Sequence, residues 1–423
     1  MRVSIVGGGY VGLVSSICLA ELGHSIDLIE IDAGRANAIN SGNSPIYENG
    51  LEYLLSKHAG KSLRTRTDYG GVAGSELVFI CVGTPKTESG SADLSMVESA
   101  SRSIGRALQD DTGHHVVAVK STVPPGTTQS CVMPAVLEES HRDDGAIGFA
   151  VNPEFLREGR AVHDFMHPDR IVIGSRDKAA GDLIESVYLG IDAPVLRTDL
   201  TSAEMIKYAS NAFLATKISF SNEIGNICKR LGIDVHGVMS GIGMDSRIGT
   251  SFLNAGAGFG GSCLPKDISA LIRIADDLGE NPAILRSVQE VNDRQPLRMV
   301  ELLEKRAGNL SGKTVAVLGL AFKNDTDDVR ESRAIPVIEA LRQRGAEVRA
   351  YDPVAAGCMG RIFPDIEYCT SAREALSGSD ACLIMTEWPE FRELDKEFDL
   401  MRARVIIEGR KMLRCRGVEG ICW

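Results

Sequence analysis

The sequence predicts an α/β fold with a doubly wound parallel sheet at the N-terminus, a long central helix, and a second α/β domain of the same type at the C-terminus. Three observations predict it. Short apolar runs alternate with helical stretches through the first 200 residues. From about residue 201 the apolar spacing is that of one helix, without glycine until Gly225. At Ser311 the order strand, loop, helix, strand begins again. The expected domains are 1–200, 201–300 and 301–423.

The first element is a short buried strand at Val3, Ile5 and Val6, followed by a glycine turn. Residues 11–22 have helical apolar spacing, and Gly23 ends that helix. "IDLIEID" is the next strand, and "ELVFICVG", "HVVAVKS", "GAIGFAVNP" and "DRIVIGS" follow. Ser202 and Glu204 suit the first turn of the long helix of about residues 201–231, whose length suits a domain bridge or a dimer core. In the C-terminal third, "KTVAVLG", "AEVRAYDP", "DACLIMTEW" and "RVIIEGR" are strands.

Composition narrows the class. The chain has 423 residues, 43% hydrophobic and 24% charged, with a formal net charge of −11. That balance argues against nucleic acid or an anionic membrane as partner. The N-terminal apolar run is broken by glycines and opens a strand rather than a signal peptide, and a cytoplasmic protein is expected. The ten cysteines are scattered without a Cys-x-x-Cys pair, so neither a zinc site nor a disulfide framework is expected.

Gly7, Gly9 and Gly12 form G-x-G-x-x-G between a strand and a helix, with Tyr10 and Val11 in the same turn. The first glycine makes the turn, the second admits a pyrophosphate, and the third lets helix and sheet approach. A dinucleotide-binding (Rossmann) domain is expected. Glu30 ends the second strand and can accept both ribose hydroxyls while repelling a 2′-phosphate, which favours NAD; Asp32 is its rival. Arg35 stands near the adenosine side or is solvated. Thr84 and Thr122 end later strands, where they line the nicotinamide side or serve as ordinary turn residues.

"GFGGSCLPKD" places Cys263 among glycines, with Pro265 suited to the first turn of a helix and Lys266 beside it. A helix N-terminus and a lysine both favour thiolate. No partner in sequence suggests a disulfide or a metal, so a nucleophile is the sharp reading. Lys207 and Asn211, four apart on the long helix, pair as oxyanion donors or belong to a solvated face. Glu154, in the loop of "NPEFLREGRA", is a candidate general base or a surface charge, with Glu158 close by. A thiol beside an NAD site suggests aldehyde oxidation through a thioester.

"GFGGSCLPKD", "NPEFLREG", "HPDRIVIG", "AEMIKYASNAFLATKISFSNEI" and "LAFKNDTDDVRES" together resemble the UDP-glucose/GDP-mannose dehydrogenase family, essentially end to end. The resemblance implies two NAD-dependent oxidations of a nucleotide-sugar C6 alcohol to a carboxylate. It implies Cys263 as nucleophile, with Lys207, Asn211 and Asp267 stabilising charge and positioning water, Thr122 near the reacting groups and Glu154 as base. It places Phe155, Leu156, Phe252, Leu253, Asn254, Ala255, Gly256, Gly260 and Lys323 on the substrate, Arg247 in the partner subunit's site of a homodimer, and Glu158, Lys266 and Arg330 toward NAD. "HPDRIVIG" and "DSRIG" look more like the branch acting on UDP-glucose than that acting on GDP-mannose. Ala255 and Ala257 depart from the family's usual "NPG" followed by a larger residue, and Glu30 stands where an Asp is usual. A non-catalytic NAD and nucleotide-sugar binding protein is the reading from another class, and the intact set of Cys263, Lys207, Asn211, Asp267 and Glu154 argues against it.

Overall fold

The computed structural model describes residues 1–423. It resolves two compact units, Met1–Ser210 with Ser269–Ile274, and Asn211–Ile268 with Ala275–Trp423. No helix is long and apolar enough to cross a membrane.

In the first unit eight strands form one sheet. They are β1 (Arg2–Val6), β2 (Ser25–Ile29), β3 (Leu63–Arg66), β4 (Leu77–Ile80), β5 (His115–Val119), β6 (Ile147–Val151), β7 (Ile171–Ser175) and β8 (Val195–Thr198), in the order β3-β2-β1-β4-β5-β6-β7-β8. The first six run parallel, while β7 pairs antiparallel with β6 and parallel with β8. The central strands "LVFI", "HVVAV" and "IGFAV" are buried at every residue, as strands covered on both faces must be. The winding reverses between β1 and β4, and ligands of open α/β sheets bind at such a point, outside the carboxyl ends of the strands. The glycine turn after β1, residues 81–85 after β4 and residues 120–128 after β5 all leave the sheet at that edge.

In the second unit six parallel strands form the other sheet. They are β9 (Thr314–Leu318), β10 (Glu347–Tyr351), β11 (Glu367–Tyr368), β12 (Ala381–Ile384), β13 (Ile406–Glu408) and β14 (Val418–Gly420), in the order β11-β10-β9-β12-β13-β14. This sheet repeats the first at its point of reversal. Gly7 follows β1 at φ +105° and donates to the Ile29 carbonyl at 2.9 Å; Gly319 follows β9 at φ +88° and donates to the Tyr351 carbonyl at 2.8 Å. Glu30 follows β2, and Asp352 follows β10. The two acids are used differently. Asp352 is buried and accepts from the N–H groups of Leu320, Ala321, Val354 and Ala355 at 2.7–3.1 Å and from the Trp388 indole at 3.0 Å.

The helix Leu200–Leu231 has 32 residues. Asp199 serves its N-terminus, accepting from the Ser202 N–H at 2.9 Å and the Ser202 hydroxyl at 2.6 Å. Glu204, expected to serve the same turn, is instead engaged with residues 126–128. Gly225 leaves room for a crossing chain, since a Cβ there would stand 2.8 Å from that of Cys422.

Candidate active site

The turn after β1 has the geometry of a phosphate seat. A Cβ on Gly12 would run into the Gly7 carbonyl, whereas one on Gly9 would meet nothing within 4 Å. The backbone at Gly9 is therefore open to a pyrophosphate, and the N-terminus of the helix Tyr10–Glu21 points its free N–H groups there. Glu30 is largely buried behind this turn, with its Oε1 accepting from the Asp32 N–H at 2.9 Å. Arg35 lies 3.7 Å from Glu30 and donates to the Gly8 carbonyl at 3.0 Å, so it ties the acid to the turn. Asp32, the rival acid, caps the helix Ala33–Asn40 by accepting from the Arg35 N–H at 2.8 Å. These residues fit NAD. The Tyr10 backbone opens the helix at this turn, while its hydroxyl bonds Glu48 and accepts from the Gly159 N–H at 3.0 Å. Burial and that carboxylate push its pKa up, and its side chain anchors the loop bearing Glu158.

Around the ends of β5 and β6 the first unit gathers buried charge. Lys207 and Glu154 form an ion pair at 2.9 Å with both side chains nearly sealed from water, and the Lys207 ammonium also lies 5.3 Å from the centre of the Phe155 ring. The second Glu154 oxygen accepts from the Leu156 N–H at 2.5 Å. Burial pushes the Glu154 carboxyl up, but the Lys207 charge and hydrogen bond, with the Leu156 N–H, outweigh it and hold the group below its ordinary value. Glu154 is thus neither a surface charge nor a neutral acid. The Thr84 hydroxyl donates to the Thr122 carbonyl at 2.8 Å. A cavity of about 230 Å³ opens beside Glu154, with Lys120, Arg160, His163 and Arg170 among its walls.

In the second unit Cys263 sits just before the helix Leu264–Asp277, as Pro265 implies, and its carbonyl accepts from the Asp267 N–H at 3.0 Å in the first turn. The thiol is half-buried, and the Ser262 hydroxyl lies 3.5 Å from its sulfur. Asp267 is buried, accepting from the Asn211 amide at 2.6 Å and the Lys266 ammonium at 2.5 Å. The glycines before Cys263 are demanded by close packing. A Cβ on Gly260 would strike the Glu331 carbonyl, and Gly261, at φ +84°, would press one onto the Phe322 ring. Leu253 and Ala255 are buried, Phe252 is half-buried at φ +65°, and the Gly256 N–H donates to Asn222 at 2.7 Å. Arg247 is 87% exposed and held only along its own loop by Asp245 at 2.6 Å. Arg330 pairs with Asp328 at 2.7 Å, and Lys323 lies 5.7 Å from the Phe322 ring centre.

Sequence reasoning overlooked several polar side chains. Lys120 is buried, donating to Asn152 at 3.0 Å and Tyr188 at 3.1 Å among the rings of Phe79, Phe165 and Tyr188. Asn292 grips Phe259 through both its N–H and its carbonyl at 2.7 and 3.0 Å. A lysine closing an apolar strand was the one available signal, and Asn292 had none.

The comparisons agree over the whole chain. Residues 1–192 match the NAD binding domain of the UDP-glucose/GDP-mannose dehydrogenase family, residues 201–294 its central domain, and residues 316–415 its UDP binding domain. The chain belongs to this family. It is 46% identical to the UDP-glucose 6-dehydrogenase AglM of Haloferax volcanii, covering 100% of this chain and 99% of that one. It is 44% identical to the UDP-glucose 6-dehydrogenase TuaD of Bacillus subtilis, covering 97% and 89%. A solved UDP-glucose dehydrogenase from Pyrobaculum islandicum superposes with a TM-score of 0.95 at 43% identity, covering 100% and 98%.

The UDP-glucose/GDP-mannose dehydrogenases are NAD-dependent oxidoreductases, and NAD is the cofactor of this chain. The glycine turn, Glu30 and Glu154 fall in the NAD binding domain, Lys207, Asn211, Cys263 and Asp267 in the central domain, and Lys323 and Arg330 in the UDP binding domain, so a nucleotide sugar is the class of substrate.

Proposed function

We propose that this chain oxidises UDP-glucose at C6 to UDP-glucuronate with two equivalents of NAD, through a covalent adduct on Cys263. The observation that carries the reading is the seat of Cys263, a half-exposed thiol at a helix N-terminus next to the buried Asn211–Asp267 pair. NAD would supply the hydride acceptor for both oxidations, the first of which also releases the C6 hydroxyl proton. After the first, the Cys263 thiolate adds to the aldehyde carbon, and Lys207 and Asn211 steady the oxygen as charge develops. The second oxidation leaves a thioester. Glu154 takes a proton from water as its oxygen attacks that carbon, the C–S bond breaks, and the thiolate leaves. Asp267 orders the donors, and Thr122 faces the reacting groups. Glu158, Lys266 and Arg330 face NAD. Phe155, Leu156, Phe252, Leu253, Asn254, Ala255, Gly256, Gly260 and Lys323 hold the nucleotide sugar. NADH release from a panel of nucleotide sugars tests the reading, with UDP-glucose expected to give the highest kcat/KM. A preference for GDP-mannose would overturn it.

The same reading assigns Glu30 to the adenosine ribose. Its carboxylate would repel a 2′-phosphate, and removing it takes away charge-assisted hydrogen bonds of about 1.5–3 kcal/mol. Glu30→Ala should therefore narrow the NAD-over-NADP ratio of kcat/KM by roughly 10- to 100-fold. An unchanged ratio would remove Glu30 from the role.

The reading also includes a homodimer, and domains divided as 1–200, 201–300 and 301–423. Phe213, Phe220 and Ile227 follow one another at intervals of seven along the long helix and are 65%, 48% and 51% exposed. A repeat of seven keeps an apolar seam on one side of a helix, which suits a second copy of the same helix. Arg247 is the residue that would cross to the partner's site. Phe220→Asp should give monomers in sedimentation velocity with much reduced activity; a fully active monomeric wild type would refute the dimer. No disulfide joins the cysteines, which suits a reducing compartment, and the cytoplasm is the proposed location.

A further inference from the structure

Residues 120–128, the loop that bears Thr122, are fastened at both ends. At the near end Ser121 donates to the Ile80 and Val82 carbonyls at 3.2 and 2.7 Å, and Thr84 donates to the Thr122 carbonyl at 2.8 Å. At the far end a single carboxylate does the work. Glu204 accepts from the Gly126 N–H at 2.5 Å with one oxygen, and from the Thr128 N–H at 2.9 Å and hydroxyl at 2.6 Å with the other.

Glu204 is 2% exposed. Burial pushes its pKa up, and the three donors pull it back only in part. Burying an ionisable group is costly unless donors compensate it, and here all three donors come from residues 126–128. Glu204 stands three residues before Lys207 on the helix Leu200–Leu231. Its grip therefore joins the backbone that carries Lys207 to the loop that carries Thr122.

We propose that Glu204 is a positioning residue, which sets the reach between Thr122 and Lys207 by holding residues 126–128 against the long helix. The proposal rests on the active-site reading above. Glutamine keeps the shape but has only one acceptor oxygen, so in Glu204→Gln an amide N–H must face the N–H of Gly126 or of Thr128. One end of the loop then loosens while the helix stays whole.

The test is a double-mutant cycle with Thr122→Ala, together with backbone hydrogen exchange in the peptide spanning residues 121–132. Glu204→Gln should lower kcat on UDP-glucose by roughly 10- to 100-fold, the scale of a small misplacement of reacting groups, with KM for NAD nearly unchanged. In the Thr122→Ala background most of that loss should vanish. Exchange at residues 126–128 should quicken, with the glycine turn near Gly9 unaffected. Thr128→Val, which removes only the hydroxyl arm, should show the same pattern more weakly and serves if the glutamine variant does not fold. Wild-type kcat in a folded variant, full additivity with Thr122→Ala, or unchanged exchange would each overturn the proposal. If the wild type yields no NADH from UDP-glucose, the functional reading fails by itself, and the exchange data still judge the tether.

Discussion

Cys263→Ser should end conversion of UDP-glucose to the acid, lowering steady-state turnover by roughly 10³-fold or more, the scale of losing a covalent nucleophile. A serine hydroxyl is hardly ionised at neutral pH. The helix N-terminus that favours a thiolate does not supply the base that a serine needs. The first oxidation requires no thiol, so NAD and UDP-glucose should still bind. Supplied with the 6-aldehyde and NADH, the variant should still reduce the aldehyde to the alcohol. Normal release of two NADH per sugar by Cys263→Ser would make the thiol a packing residue and remove the covalent route.

Glu154→Gln should fail at the other end of the reaction. If Glu154 takes the proton from water, the variant should release about two NADH per subunit in a burst and then stall, with steady turnover reduced roughly 10²- to 10⁴-fold. Intact-mass spectrometry should find the sugar nucleotide on Cys263. Full steady turnover without an adduct would hand the role of base to another group. Stability should change as well. Glutamine leaves one oxygen to share between Lys207 and the Leu156 N–H, so the cost should stay below the ~3–5 kcal/mol of deleting one partner of a buried pair. The carboxyl of Glu154 is held below its ordinary value of 4.5, so the wild-type pair stabilises the fold above that pH and loses its contribution as pH falls through the lower native value. Acid unfolding of the variant should lack that component.

Much of this was legible because it lay in local patterns. The strand, glycine turn, helix and acid around Gly7 and Glu30 lie within one short segment, and each demands a particular backbone geometry. Cys263 stood out against glycines and a helix-starting proline. The edge strands β3 and β8 escaped notice because "LRTR" and "VLRT" carry no apolar alternation. The pairing of Glu154 with Lys207 joins residues far apart in sequence, so no spacing rule could find it. Glu204 misled for a related reason, since a glutamate near a helix start reads as a partner of its own helix and is here a partner of residues 126–128.

Asp352 bears on how often the cofactor must change places. At the end of β1 the Gly7 N–H serves the Ile29 carbonyl, while the first turn of the helix Tyr10–Glu21 presents its backbone N–H groups to an incoming phosphate. At the end of β9 the N–H groups of Leu320 and Ala321 already serve a carboxylate of the chain itself, which brings its own negative charge. The second sheet is a repeated scaffold with its anion built in, and the seat that fits NAD is the one after β1, inside the NAD binding domain. The proposed reaction would use two equivalents of NAD in turn at that one seat. On the proposed route Cys263 would hold the half-oxidised sugar covalently while one nicotinamide is exchanged for the next, so that a reactive aldehyde would not escape.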